Sequence, residues 1–173
     1  SSDDKGLKEI CIKYNVDFQL RPLYLASDVS PTVNTLKYVL QTLNEEYANV
    51  ILLQPTNPLR PVSLLKDAYQ RFLDSNCDSL MTVSRNHQKL GKIINSQFEP
   101  FNYTMGQRSQ DLEPLYFENG LLYITKASLI FEDKILGANN LPFIVNHPYA
   151  SVDIDTQEDF ELAEFILKQY PNA

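Results

Sequence analysis

Asp153 and Asp155 are the residues of this chain whose types and spacing are best suited to chemistry. They alternate with Val152 and Ile154 in the run Ser151-Val-Asp-Ile-Asp-Thr-Gln-Glu-Asp-Phe160. In extended backbone, residues two apart share a face, with Cα atoms ~6–7 Å apart. Carboxylates so placed repel each other unless a cation lies between them. A hard cation such as Mg²⁺, or Mn²⁺, accepts one or two carboxylates and fills its shell with water and phosphate oxygens. The same pattern equally suits a solvated Asp153 and an Asp155 that only assists a helix cap. Thr156 and Asp159 read as a capping box, so a helix begins there and turns Leu162, Ala163, Ile166 and Leu167 inward.

A second stretch of the same kind is Val50 to Pro61, VILLQPTNPLRP. Four apolar residues, Val50 to Leu53, suit a strand buried on both faces of a parallel sheet. Pro55 and Pro58 cannot continue a central strand, so the chain leaves the sheet at Gln54. Ligands of open α/β sheets sit just outside the carboxyl ends of strands. Gln54, Thr56, Asn57 and Arg60 therefore stand where a site is expected. An ordinary strand-to-helix loop with a capping Asn or Thr fits the same residues.

The elements that must position these groups alternate between strand and helix. Asp3 and Asp4 open a helix whose inward face is Leu7, Ile10, Cys11 and Tyr14. Val16 to Leu20 reads as a short strand. Ser30 and Pro31 open a helix carrying Val33, Leu36, Leu40 and Leu43. A further helix from Pro61 turns Leu64, Leu65, Ala68 and Phe72 inward. Strands follow at Ser79–Val83, Leu121–Thr125 and Phe143–Asn146. This alternation is the α/β pattern. From Asn86 to Pro114 it fails: the stretch is polar, with Phe98, Phe101 and Tyr103 among its aromatics. A structureless insert of that length suits a lid or an arm that packs on a partner subunit.

Composition narrows the classes. A chain of 173 residues is one domain by size, residues 1–173, with 43 % hydrophobic residues. The net charge of −7 argues against a nucleic-acid partner. No apolar run approaches the ~20 residues of a membrane span. Cys11 and Cys77 form no motif and read as core thiols in a reduced, cytoplasmic setting. The five glycines form no phosphate-cradling loop or dinucleotide fingerprint. His87 and His147 are too isolated for a zinc site.

Five motifs in order carry a family resemblance. They are LRPLYLASD at Leu20 to Asp28, LLQPTNPLR at Leu52 to Arg60, QRSQDL at Gln107 to Leu112, ENGLLYI at Glu118 to Ile124 and SVDIDTQEDFELAE at Ser151 to Glu164. Together they resemble the acylneuraminate cytidylyltransferases, the CMP-sialic acid synthetases, across nearly the whole chain. The resemblance implies an α/β fold of the nucleotide-diphospho-sugar transferase type, a mostly parallel sheet sandwiched by helices. It implies transfer of CMP from CTP to a nine-carbon α-keto sugar acid of the acylneuraminate type, with Mg²⁺ or Mn²⁺. By the same resemblance Asp153 and Asp155 are the metal carboxylates and the catalytic pair. Arg21, Ala26 and Ser27 match the nucleotide-binding positions. Gln54, Thr56, Arg108 and Tyr123 match the sugar-binding ones, an Arg fork suiting a carboxylate. The 86–114 stretch matches a dimerisation arm, which implies a homodimer.

Three departures shape what is expected. The family's opening strand and its basic, glycine-containing triphosphate loop have no counterpart here, so the chain reads as N-terminally truncated and weakly active by itself. Arg108-Ser109 stands where the family often has two arginines. Ile135-Leu136 stands where family members can place phenylalanines near the sugar. Two alternatives follow: a sister enzyme for legionaminic, pseudaminic or 3-deoxy-octulosonic acid, and a non-catalytic dimerisation or binding module of the same fold.

Overall fold

The computed structural model describes residues 1–27 and 29–171; Asp28, which ends the Leu20–Asp28 motif, lies outside the described residues. In chain order the helices are α1 (Lys5–Lys13), α2 (Thr32–Thr42), α3 (Leu64–Leu73), α4 (Ala127–Phe131) and α5 (Gln157–Gln169). The strands are β1 (Asn49–Leu52), β2 (Ser79–Asn86), β3 (Gly91–Ile94), β4 (Gln97–Pro100), β5 (Leu115–Lys126) and β6 (Asn140–Ile144).

One sheet has the order β1-β5-β2-β6. β5 runs antiparallel to both of its neighbours and β6 runs parallel to β2, so β1, β2 and β6 share one direction. The carboxyl ends of these three strands meet the first half of β5 at one end of the sheet. Leu80, Leu121, Leu122 and Ile124 are fully buried in the sheet's centre. α3 covers them because Leu64, Ala68 and Phe72 recur at i, i+4 and i+8 and form one stripe against the same cluster.

Several sequence expectations change. The Val50–Leu53 run is an edge strand and not a buried central one, since β5 is its one partner among the described residues. Val16–Leu20 forms no strand; an isolated bridge between Ser2 and Leu20 is all that pairs there. α1 is capped by Asp4 as expected, at 2.7 Å to the Gly6 amide, yet it buries no residue, and Cys11 is only half-buried. Ser30 does not cap α2, because Pro31 takes the cap position. In α5 the buried residues are Ala163 and Ile166, while Leu162 and Leu167 are exposed. The expected strand at Phe143–Asn146 begins earlier, at Asn140.

The 86–114 stretch is not structureless. β3 and β4 form a separate antiparallel hairpin. Its turn is Asn95-Ser96, both with positive φ, the conformation a two-residue turn needs to match strand twist. No helix among the described residues is long and apolar enough to cross a membrane.

Candidate active site

The site starts from an interruption in β5. Its pairing with β2 matches Met81 to Tyr123 but Val83 to Glu118, so β5 has extra residues between these pairs. Gly120 sits in this bulge at φ +72°, where a β-carbon would be strained. A β-carbon at Gly120 would also lie 2.5 Å from the Asn57 amide oxygen and 2.6 Å from that of Gln54. Glycine is therefore required twice, by its backbone angle and by the loop pressed against it. A bulge of this kind re-aims side chains and leaves ladder groups unpaired.

Side chains fill those unpaired positions. The Thr82 hydroxyl donates to the Leu122 carbonyl (3.2 Å) and accepts from the Leu122 amide (3.0 Å). Arg60 donates from Nε to the Leu121 carbonyl and from a terminal nitrogen to the Gln54 carbonyl, each at 2.7 Å. Burial lowers the pKa of this guanidinium. Asn119 donates to the Ser84 hydroxyl (2.9 Å), which donates in turn to the Val145 carbonyl (3.1 Å).

The Gln54–Arg60 loop is fastened on its other side to the acidic segment. Asn57, 3 % exposed, donates to the Val152 carbonyl at 2.9 Å. The Ile154 amide donates to the Thr56 carbonyl at 2.8 Å. Val152 and Ile154 pack into a small apolar cluster with Tyr149, Ala163, Ile166 and Leu59. Burying such a side chain contributes ~1.5–3 kcal/mol. Asp153 and Asp155, alternating with them, are left exposed. The period-two reading of this segment thus holds, although it is irregular chain and not a strand. The capping box also holds: the Thr156 hydroxyl accepts from the Asp159 amide, and the Asp159 carboxylate accepts from the Thr156 amide at 2.9 Å. The Thr156 hydroxyl, followed by the Asp155 and Thr156 amides, donates to the Asp159 carboxylate and lowers its pKa.

Two adjoining cavities share Gln54. One, about 450 Å³, is lined by Gln54, Glu118, Tyr123, Leu52, Ile135 and Leu136 among others. The Tyr123 hydroxyl donates to the Glu118 carboxylate. Burial, this hydrogen bond and the negative charges of Glu118 and Asp153 all push the phenol above its ordinary pKa, so it stays protonated. The other cavity, about 750 Å³, runs between β1 and α2 and holds Arg21, Ser27, Gln54 and Thr56. Arg21 donates to the Ser1 carbonyl (2.7 Å), while its buried Nε has no partner among the described residues.

The structure thus gathers Arg21, Ser27, Gln54, Thr56 and Tyr123 at one end of the sheet, with Asp153 near Tyr123. Ala26 is the residue next to Ser27 and ends a 3₁₀ turn. Arg108 stands apart: it is exposed in the 86–114 stretch and forks onto Asp111 at 2.8 and 3.1 Å. Among the described residues no three His, Cys, Asp or Glu side chains cluster closely enough to hold a metal ion. Asp153 and Asp155 would give a cation two carboxylates, leaving the rest of its shell to water and ligand oxygens. That donor set suits Mg²⁺ or Mn²⁺ and does not suit zinc. Asn57 and Arg60 stand in the loop where the sequence places a site, but their task as fasteners is visible only in the fold, and the sequence assigns no role to Glu118 or Gly120. The signal for the last was available: Asn119-Gly120 within a strand pattern marks a bulge.

No known protein-family profile matches the chain. It is 27 % identical over 172 residues to N-acylneuraminate cytidylyltransferase of Streptococcus agalactiae, covering 92 % of this chain and 40 % of that protein, so it spans about two fifths of that relative's length. It is 29 % identical over 182 residues to pseudaminic acid cytidylyltransferase of Campylobacter jejuni, covering 97 % of this chain and 76 % of the relative. It is 30 % identical over 181 residues to CMP-N,N′-diacetyllegionaminic acid synthase of Legionella pneumophila, with the same coverage of 97 % and 76 %. Among solved structures, a CMP:2-keto-3-deoxy-manno-octonic acid synthetase complexed with CTP superposes with a TM-score of 0.66 at 12 % identity, over 97 % of this chain and 79 % of that one. A 4-diphosphocytidyl-2C-methyl-D-erythritol synthase from Anaerococcus prevotii gives 0.66 at 13 % identity, over 96 % and 77 %. These two likenesses show the fold alone. By its sequence relatives, the chain belongs to the family of CMP-sugar-acid cytidylyltransferases that includes the N-acylneuraminate, pseudaminic acid and N,N′-diacetyllegionaminic acid enzymes.

Proposed function

We propose that this chain carries the crevice in which CMP is transferred from CTP to a nine-carbon α-keto sugar acid, with release of pyrophosphate. The observation that carries the reading is that Gln54 and Tyr123 line one cavity beside a second that holds Arg21 and Ser27, while Asn57 ties the Gln54 loop to the acidic segment at the Val152 carbonyl, next to Asp153. Gln54, Thr56 and Tyr123 hold the sugar. Arg21, Ser27 and the adjacent Ala26 hold the nucleotide. Asp153 and Asp155 hold Mg²⁺ or Mn²⁺, which when bound offsets the charge of the phosphates. What the chain itself contributes is orientation, since phosphoryl transfer depends mostly on positioning and electrostatics.

The stretch around β3 and β4 exposes Ile93, Phe98, Phe101 and Met105, and Tyr116 and Phe117 at the start of β5 are exposed too. These side chains support a homodimer built through this arm, with Arg108 offered to the sugar carboxylate from the arm. The net charge of −7 supports partners other than nucleic acid, and the free Cys11 and Cys77 support a reduced, cytoplasmic setting away from membranes. Ile135 and Leu136 in the sugar cavity favour a second reading within the class, a legionaminic- or pseudaminic-type acid in place of N-acetylneuraminate.

The test is incubation with CTP, Mg²⁺ and, separately, N-acetylneuraminate, N,N′-diacetyllegionaminate, pseudaminate and 3-deoxy-octulosonate, with mass-spectrometric detection of CMP-sugar and calorimetric measurement of binding. Binding of CTP and at least one sugar acid is expected. No binding of any of them would overturn the reading and leave the non-catalytic module.

A further inference from the structure

Residues 118 and 123 are five apart. In an unbroken strand an odd separation places two side chains on opposite faces. The bulge between the Val83–Glu118 and Met81–Tyr123 pairs cancels that alternation and brings both side chains into the same cavity. The one proton of the Tyr123 hydroxyl is committed to Glu118, so Tyr123 presents lone pairs to a ligand. The Glu118 carboxylate likewise offers acceptor oxygens. Asp133, the second carboxylate in the lining, is paired with Lys37 at 2.7 Å. Glu118 makes no ion pair among the described residues. The remaining polar lining is Thr32 and Gln54; around them lie Val33, Leu52, Ile135 and Leu136.

We infer that Glu118 is a specificity-determining residue, which reads a nitrogen substituent of the sugar through its N–H donors and turns the sugar's own carboxylate away from this end of the cavity. The inference rests on the sugar-acid reading above and adds which part of the sugar faces which wall. A ligand carboxylate placed here would meet lone pairs on Tyr123 and a like charge on Glu118. An acylamino N–H satisfies one of these acceptors. An amidine or ammonium forms a charge-assisted bond, roughly twice as strong as a neutral one. Glu118 is solvent-exposed, so water competes and the effect is moderate in size. Cationic nitrogen substituents are therefore favoured over acetamido ones, and acetamido over deoxy.

The test is calorimetric binding of two nine-carbon α-keto sugar acids that differ at one substituent, acetamido against acetamidino. Wild type is expected to bind the acetamidino sugar about tenfold more tightly, as a charge-assisted bond of ~1.5 kcal/mol implies. Glu118→Gln is expected to bring the ratio to about one, with the melting temperature and CTP binding unchanged. Tyr123→Phe, which removes the hydroxyl and leaves the carboxylate, is expected to keep the preference. An unchanged ratio in Glu118→Gln, or a wild-type preference for the acetamido sugar, would overturn the inference alone. Absence of binding to both sugars would overturn the sugar-acid reading and the inference with it.

Discussion

Two apolar runs of nearly the same composition occupy neighbouring strands and have different surroundings. Leu121, Leu122 and Ile124 of β5 are 0 % exposed, whereas Ile51 of β1 is 38 % exposed. The difference is neighbours. β5 lies between β1 and β2, beneath α3, while β1 has β5 alone among the described residues. An apolar run specifies a strand; the number of partners decides whether its side chains leave water. The contrast also separates two roles at the site. The bulged β5 is a rigid wall, and β1 supplies a loop that hydrogen bonds must fasten to it.

The largest test of this contrast is Leu122→Ala against Ile51→Ala. Loss of Leu122 is expected to cost ~3–5 kcal/mol through lost burial and an unfilled cavity, and loss of Ile51 about 1 kcal/mol or less. Urea unfolding with an unchanged slope measures both. Equal costs would show that the edge of β1 is covered in solution.

Arg60→Met asks how firmly the loop is tied to the wall. It strands the Leu121 and Gln54 carbonyls and is expected to cost ~2 kcal/mol and weaken sugar binding. Arg60→Lys is expected to restore little, because a lysine cannot fork between two carbonyls. Thr156→Ala, on the acidic segment, is expected to cost about 1 kcal/mol through the lost cap.

The smallest effect is a pH dependence. The folded Asp159 pKa lies below its ordinary value of 3.8 because Thr156 and the Asp155 and Thr156 amides bond to its carboxylate. Between the two pKa values the unfolded chain binds more protons, so stability rises with pH there. The contribution is complete above the ordinary carboxylate value and is lost as pH falls through the lowered one. Asp159→Asn is expected to flatten this acid limb, read as melting temperature against pH.

Much of this was legible in the residues. The capping box, the α3 stripe of Leu64, Ala68 and Phe72 (though not Leu65, which is exposed) and the in–out alternation of Val152 to Asp155 are local patterns, and local patterns survive folding. The bulge was not, because it depends on Thr82, a residue 40 positions away in sequence, supplying bonds the ladder lacks. The hairpin of β3 and β4 was missed because its turn is Asn-Ser where Asn-Gly would have announced it. Val16–Leu20 looked like a strand by its residues, but a strand is a pairing, and these residues have almost none. The motifs located Gln54, Tyr123 and Asp153 separately; only the fold shows Gln54 and Tyr123 lining one cavity and Asn57 tying the Gln54 loop to the segment that carries Asp153.

The central claim is that the crevice between the Gln54–Asn57 loop, β5 and the acidic segment is where a divalent ion and CTP meet. The most direct measurement is paramagnetic broadening of backbone amide signals in a nitrogen-labelled sample titrated with Mn²⁺ in the presence of CTP. Signals of residues 152–156 and of Gln54, Thr56 and Asn57 are expected to broaden together, while those of 74–78, at the opposite end of the sheet, stay sharp. The Asp153→Asn, Asp155→Asn double variant is expected to abolish the effect. Broadening centred on another acidic surface, or broadening at the crevice that survives the double substitution, would contradict the account.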